Sequence, residues 1–226
     1  MKKSLNSLIH TFSQRDLDIL YYIYNYRCLT ENQICQLHFS KEKSFEHNLS
    51  SIKGRIQELC ELDLIKKVEY LKGDEYVYFL TPFGIKAIRY FFELPTNIYD
   101  ANKKVVKRGY YRASELKILP KNINHQVHLN QFVIDFQSLN LDITWKYFDE
   151  KHIGQYANIR PDGILSVLDT DFFLEMDMGT ENQKQLQAKW ENYRNFIASR
   201  EYAYREKRIT LLFIVANTAQ IKERID

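Results

Sequence analysis

Apolar residues keep a helical spacing from Leu17 to Leu62, and the first strand-like run begins only at Ile65. Leu17, Leu20, Tyr21 and Tyr24 mark one helical face, and Ser13 stands three residues before Asp16 as a capping-box start. Thr30 and Gln33 repeat that signal above Ile34 and Leu37, which predicts a short second helix ending near Phe39. A third helix is expected from about Ser44, because Phe45, Leu49, Ile52, Ile56, Leu59 and Leu62 follow at spacings of 4-3-4-3-3. Residues 65–71 and 76–80 then read as two strands turned at Gly73-Asp74. Thr81-Pro82 opens another helix, with Thr as cap and Pro at the first helical position, carrying Phe83, Ile85, Ala87, Ile88, Phe91 and Phe92.

The second half predicts a helix over 123–138, with Val127, Phe132, Val133 and Phe136 inside it. Residues 143–148, 160–168 and 171–177 read as strands, the last two joined at Asp169-Thr170. Thr180 and Gln183 form a further capping box, and Leu186, Trp190, Tyr193 and Ile197 make the buried stripe of the helix it opens. Residues 210–216 are almost wholly apolar, the pattern of a central strand covered on both faces, with a short helix after it. The order is α-β-β-β-α-β, an α/β sandwich around a mixed sheet. The chain is therefore α+β overall, with a winged helix-turn-helix in front. The expected division is a winged helix over 1–95, a basic linker over 96–121 and a second domain over 122–226.

At 226 residues and 45% apolar content, the chain can bury one large or two small cores. Seven Gly and four Pro argue for short loops. The net charge of +3 demands no polyanion, but its distribution is uneven. Residues 102–121 hold seven Lys/Arg against one acid, Glu115, which suits phosphate contact or, equally, a solvated linker. Cys28, Cys35 and Cys60 fit neither a disulfide framework nor a zinc site and are expected to be buried free thiols. The longest apolar run, 211–216, is too short to span a membrane, and no stretch resembles a signal peptide. A cytoplasmic protein with no membrane partner is expected.

Two sets of residues have the chemistry to define a function. In a winged helix the third helix enters the major groove and the hairpin touches the backbone. His47, Ser51 and Arg55 recur at i, i+4 and i+8, flanked by Asn48 and Lys53, and can donate to phosphates or base edges. Lys72 in the hairpin loop and Lys103, Lys104, Lys107 and Arg108 in the basic segment are the further expected DNA contacts. An ordinary polar face on a core helix accounts for the same third-helix residues. The second set is acidic. Glu175 and Asp177 lie two apart on one strand and share a face, and Asp162 on the adjacent hairpin strand can come alongside. Such carboxylates suit Mg²⁺ or Mn²⁺, which can activate a water against a phosphodiester. Without a metal they would repel one another, and at least one would take up a proton. Lys189 can orient that water or neutralise phosphate charge. The plainer alternatives are solvated edge acids, a Pro-Asp-Gly turn and a surface lysine. Tyr193, four residues after Lys189, reads as core rather than nucleophile, and His125 and His128 as helix residues rather than ligands.

Together these strings resemble the replication-relaxation family of plasmids and integrative elements, itself similar to the MobC class of conjugative relaxases. The resemblance covers nearly the whole chain. It runs through Arg15-Asp16-x3-Leu20, Leu29-Thr30-x2-Gln33-Ile34, Leu80-Thr81-Pro82-x-Gly84 and His125. It is most specific in Arg160-Pro161-Asp162-Gly163, Phe173-Leu174-Glu175-x-Asp177-x-Gly179-Thr180-Glu181 and Lys189-x3-Tyr193. It implies a winged-helix domain that recognises an origin and a second domain similar to the PD-(D/E)xK nuclease fold. By position, Asp162 and Glu175 match that fold's metal-binding acids. Asp177 stands where its lysine is usual, so Lys189 would have to supply the cation from the next helix. The expected function is relaxase-like, metal-dependent nicking of double-stranded DNA at an origin-like site, in replication or mobilisation. The competing expectation is a non-catalytic DNA-binding accessory factor or regulator, whose nuclease-like domain serves dimerisation or docking of other mobilisation or replication proteins. A winged-helix adaptor that binds only protein is a third.

Overall fold

The computed structural model describes residues 12–38, 45–71, 75–94, 98–102, 105–107, 116–139, 143–146, 159, 161–179, 182–203 and 208–215. They form two compact units, Met1–Asn130 and Gln131–Asp226, and both mix helices with sheet.

In the first unit, helix α1 spans Gln14–Tyr26 behind the Ser13–Asp16 capping box. Strand β1, Leu29–Thr30, leads into α2, Glu31–His38, where Thr30 and Gln33 cap each other at 3.2 Å in both directions. Helix α3 spans Phe45–Glu61 and is followed by β2, Ile65–Leu71, β3, Glu75–Leu80, and α4, Pro82–Phe91. The sheet order is β1-β3-β2, antiparallel throughout, so the expected hairpin gains a third strand from the two residues before α2. The expected turn at Gly73-Asp74 lies outside the described residues.

Thr81 closes the hairpin onto α4. Its Oγ1 accepts from Gly84 N at 3.0 Å, and its backbone N–H donates to Leu64 O at 3.0 Å. Gly84 is required by that approach, since a Cβ there would lie 2.0 Å from Leu64 O. Ile19, Leu20, Ile23, Ile34, Ile52, Leu59, Ile85 and Ile88 fill the core between these elements. Cys28 and Cys35 are buried and Cys60 is half-buried, all three free; burial pushes the Cys28 thiol up to about 12.

The segment expected to be a basic linker is partly structure. Strand β4, Ile98–Tyr99, pairs with β5, Val105–Lys107. Leu116 and Ile118 are buried while Lys117 and Leu119 between and beyond them are exposed, a period-2 alternation hidden in the basic composition. Helix α5, Ile123–Gln137, follows a 3-10 turn at Pro120–Asn122. Ile118, Ile123 and Val127 pack with Cys28, Val77 and Phe79. Asn130 Nδ2 donates to Tyr26 O and Cys28 O at 3.1 and 2.6 Å, and Gln33 Nε2 to Val127 O at 2.8 Å. The first half of α5 therefore belongs to the first unit, which ends inside this helix rather than at residue 95 or 121.

The second unit holds a four-stranded sheet in the order β6-β7-β8-β9. Its strands are β6, Ile143–Lys146, β7, Gly163–Val167, β8, Thr170–Asp177, and β9, Arg208–Val215. Helices α6, Gln183–Ile197, and α7, Arg200–Ala203, connect β8 to β9. The first two pairings are antiparallel and β8–β9 is parallel, which completes the α-β-β-β-α-β order. Residues 173–177 of β8 are all buried, so β8 is the strand covered on both faces. Strand β9, expected in that role, stands at the end of the described sheet and is at most half-buried where burial is described. The β7–β8 turn is Leu168-Asp169, one residue earlier than expected, with Leu168 at φ 52°. The expected helix after β9 lies outside the described residues. Among the described residues, no helix is long and apolar enough to cross a membrane.

Candidate functional site

The register of the β7–β8 hairpin builds the site. Gly163 lies opposite Leu174 and Ile164 opposite Phe173, and Asp162 directly precedes this ladder. Asp162 extends the ladder by donating its backbone N–H to Leu174 O at 2.8 Å. Its Oδ2 then accepts from Met176 N at 2.8 Å, which holds the carboxylate against β8.

Helix α6 supplies the cation. It begins at the N-cap Asn182, with Gln185 completing the capping box at 2.9 and 3.0 Å, two residues later than the cap expected at Thr180. Its buried residues are Tyr193 and Phe196, which pack on Phe173 and Ile164. Trp190 and Ile197, expected in the buried stripe, are 41% and 52% exposed. Lys189 and Tyr193, one turn apart, both reach β8. Lys189 Nζ lies 2.9 Å from Glu175 Oε2, and the Tyr193 hydroxyl donates to Glu175 Oε1.

Glu175 is 2% exposed. Burial raises its pKa, the Asp162 charge raises it further, and the bonds from Tyr193 and Lys189 offset part of this without reversing it. Burial first, then the Glu175 charge, pushes the Tyr193 hydroxyl far up as well, so it remains a protonated donor. That places Tyr193 in the core, as its spacing predicted, and adds a polar contact that spacing alone did not show.

Asp177 does not complete the expected trio. Its Oδ1 accepts from Gly179 N at 2.7 Å, closing an Asx turn at the end of β8, with Gly179 at φ 73°. Among the described residues, no three His, Cys, Asp or Glu side chains are placed to hold a metal ion. What the fold brings together is two carboxylates, Asp162 and Glu175, with one lysine. These two hard oxygen donors, close enough for the Asp162 charge to act on Glu175, are the residues that could hold a Mg²⁺ or Mn²⁺ keeping several waters. His128 Nδ1 is 2.9 Å from Asn124 O on its own helix, as the helix-residue reading expected.

The expected DNA-contact residues fare unevenly. Among the described side chains of α3 the buried ones are Asn48, Ile52, Ile56 and Leu59, so Asn48 joins the core stripe and leaves the polar face. Arg55 is engaged inside the protein. Its half-buried guanidinium pairs with the fully buried Asp16 and with the exposed Glu58. Ser51 is exposed and accepts from Arg15 Nη1 at 3.4 Å; Lys53 is exposed, 3.5 Å from Glu31. Lys72, Lys103, Lys104 and Arg108 lie outside the described residues, as do the side chains of His47 and Lys107. Lys66 and Lys67, not singled out from sequence, are exposed on β2, with their ammonium groups over the rings of Phe79 and Tyr76 at 5.7 and 3.6 Å. Their adjacency in a strand opposite two aromatics was the available signal.

Comparison with known proteins adds one finding. No curated protein and no solved structure matches the chain. The profile of a family described as replication-relaxation matches residues 20–212, a span that includes Asp162, Glu175 and Lys189. The chain belongs to the replication-relaxation family.

Proposed function

We propose that this protein binds an origin-like double-stranded DNA site through its first unit and nicks it through its second. Its family membership supports a role in plasmid or mobile-element replication or relaxation. The first unit is proposed to be a winged helix. Supporting this are the order α1-β1-α2-α3-β2-β3, the antiparallel β1-β3-β2 sheet, and the exposed Ser51, Lys53, Lys66 and Lys67 on α3 and β2. The second unit is proposed to be PD-(D/E)xK-like, and kinship with MobC-class relaxases belongs to the same reading.

The observation that carries the proposal is the meeting of Asp162, Glu175 and Lys189 at the edge of one hairpin, with the lysine delivered from α6. Asp162 and Glu175 are the residues that would hold Mg²⁺ or Mn²⁺, which when bound supplies a Lewis acid and an acidified water. Lys189 adds positive charge where a scissile phosphate would sit. Tyr193 keeps the Glu175 carboxylate oriented, and the buried faces of β8 keep bulk water from it. The test is supercoiled plasmid carrying the cognate origin, incubated with Mg²⁺ or Mn²⁺. Open circles are expected from the wild type and not from Asp162→Ala or Glu175→Ala; equal nicking by all three would refute the site.

A second reading is favoured by one observation: both Glu175 oxygens are already bonded within the chain. In it, the protein is a non-catalytic accessory factor or regulator that docks a second copy or other mobilisation or replication proteins. It predicts a salt-sensitive mobility shift of origin DNA with no nicking in any divalent metal.

A further inference from the structure

Glu175 receives both of its side-chain bonds from a single turn of α6. Lys189 Nζ takes Oε2 at 2.9 Å and Tyr193 OH takes Oε1. Each oxygen therefore already carries one donor, and a cation approaching Oε2 meets the Lys189 charge. The two donors are held very differently. Tyr193 is 4% exposed and its ring sits in the cluster of Ile159, Ile164, Phe173 and Phe196, so withdrawing it would open a cavity. Lys189 is 26% exposed, and its ammonium rides on a four-carbon stem that can swing without disturbing the core. Lys189 also answers the same electrostatic need as a metal ion would. It compensates a buried carboxylate that faces a second one, Asp162.

From this asymmetry we propose that Lys189 is a displaceable internal cation. It occupies Glu175 Oε2 at rest and is exchanged for a divalent cation, while Tyr193 holds Oε1 in both states. Exchange frees the ammonium at the moment the site becomes loaded, so the lysine reaches a substrate phosphate only then. Lys189 thereby opposes metal capture in the absence of DNA, and Tyr193 is a positioning residue that supports it. This rests on the reading in which Asp162 and Glu175 hold Mg²⁺ or Mn²⁺.

The consequence is a pair of opposite signs, read on the full-length chain by Mn²⁺ titration with calorimetry or EPR. Lys189→Met removes the competitor, and Mn²⁺ binding is expected to tighten by about tenfold or more while nicking is lost. Tyr193→Phe removes the orienting donor, and binding is expected to weaken by about tenfold, the usual scale for a ligand's supporting hydrogen bond. Lys189→Arg, which restores the charge, is expected to return affinity toward the wild type. A measurement on the unaltered protein guards against misfolded variants: on Mg²⁺ titration, the ¹⁵N signal of the Lys189 ammonium, assigned with Lys189→Arg, should move as the ion pair opens. If the wild type binds Mn²⁺ at Asp162 and Glu175 but Lys189→Met binds no tighter, or the ammonium signal stays fixed at saturation, the exchange is wrong and the metal site survives. If neither the wild type nor Lys189→Met binds Mn²⁺, or if Asp162→Asn leaves binding unchanged, the metal site falls and the exchange with it.

Discussion

Asp16 in the first unit and Glu175 in the second are both buried carboxylates that meet a basic side chain, yet their surroundings push them in opposite directions. Burial would raise Asp16, but the Arg55 guanidinium and two bonds from Ser13, at 2.7 and 2.8 Å, overcome it and hold the carboxyl below its usual range. Burial raises Glu175 too, and there Asp162 adds to the rise, so Lys189 and Tyr193 do not bring it back. An acid satisfied from all sides and lowered is a structural tie between α1 and α3. An acid left raised by burial and by a neighbouring acid is disfavoured as an anion where it stands. Counting ion pairs would have scored the two sites alike.

The largest expected effect comes from breaking the satisfied pair. Arg55→Met leaves Asp16 buried without its main partner and should cost about 3 kcal/mol in urea unfolding, at the lower end for such a loss because Arg55 is a quarter exposed. Nicking per folded molecule should be unchanged in that variant. Next, Glu175→Gln should lower nicking by about 100-fold or more while changing stability by no more than about 1 kcal/mol. A loss of stability as large as that of Arg55→Met would make Glu175 a second structural tie and remove the contrast.

The two acids should also differ in the sign of their pH response. Asp16 is lowered from 3.8, so its contribution is present above that value and is lost as pH falls through its depressed folded pKa. The stability gap between wild type and Asp16→Asn should therefore close in strong acid. Glu175 is raised from 4.5, so its ionisation disfavours the fold. Relative to Glu175→Gln, the wild type should lose stability as pH rises from 4.5 through the raised folded pKa. Chemical unfolding followed from strong acid to neutrality would separate the two trends, and parallel curves would contradict the assignment. The smallest effect is expected at the surface. Lys53→Ala breaks an exposed pair with Glu31 and should cost under about 0.5 kcal/mol, while weakening origin binding in a mobility shift at low salt.

Much of the fold was legible because local signals agreed with one another. The Ser13–Asp16 box, the Thr30–Gln33 box and Thr81-Pro82 each start a helix at the residue they announce. The misreadings share one cause, which is that a pattern along one element is silent about what packs against it. Residues 210–216 look like a central strand, but β9 ends the described sheet and β8, with three acids in its run, is the covered one. Trp190 and Ile197 keep helical spacing with Tyr193, yet α6 turns Phe196 inward instead. Asn48 and Arg55 sit beside the apolar stripe of α3, and only the neighbouring α1, with its buried Asp16, drew Arg55 inside. Within the site, Asp162 does come close enough to act on Glu175, but from the residue before β7 and not from within a strand. Asp177 did not join them, because the last residue of a strand can satisfy the turn that follows it.

The sequence by itself determined the element order and most of the helix starts, since these depend on caps and on the spacing of apolar residues. Only the tertiary structure decided that Lys189 and Tyr193 meet Glu175, that Asp177 stays apart and that α5 begins inside the first unit. Those outcomes turn on how a helix is rotated over a sheet. That rotation is set by the sum of many side-chain contacts on the buried face, and no spacing within a single element records it.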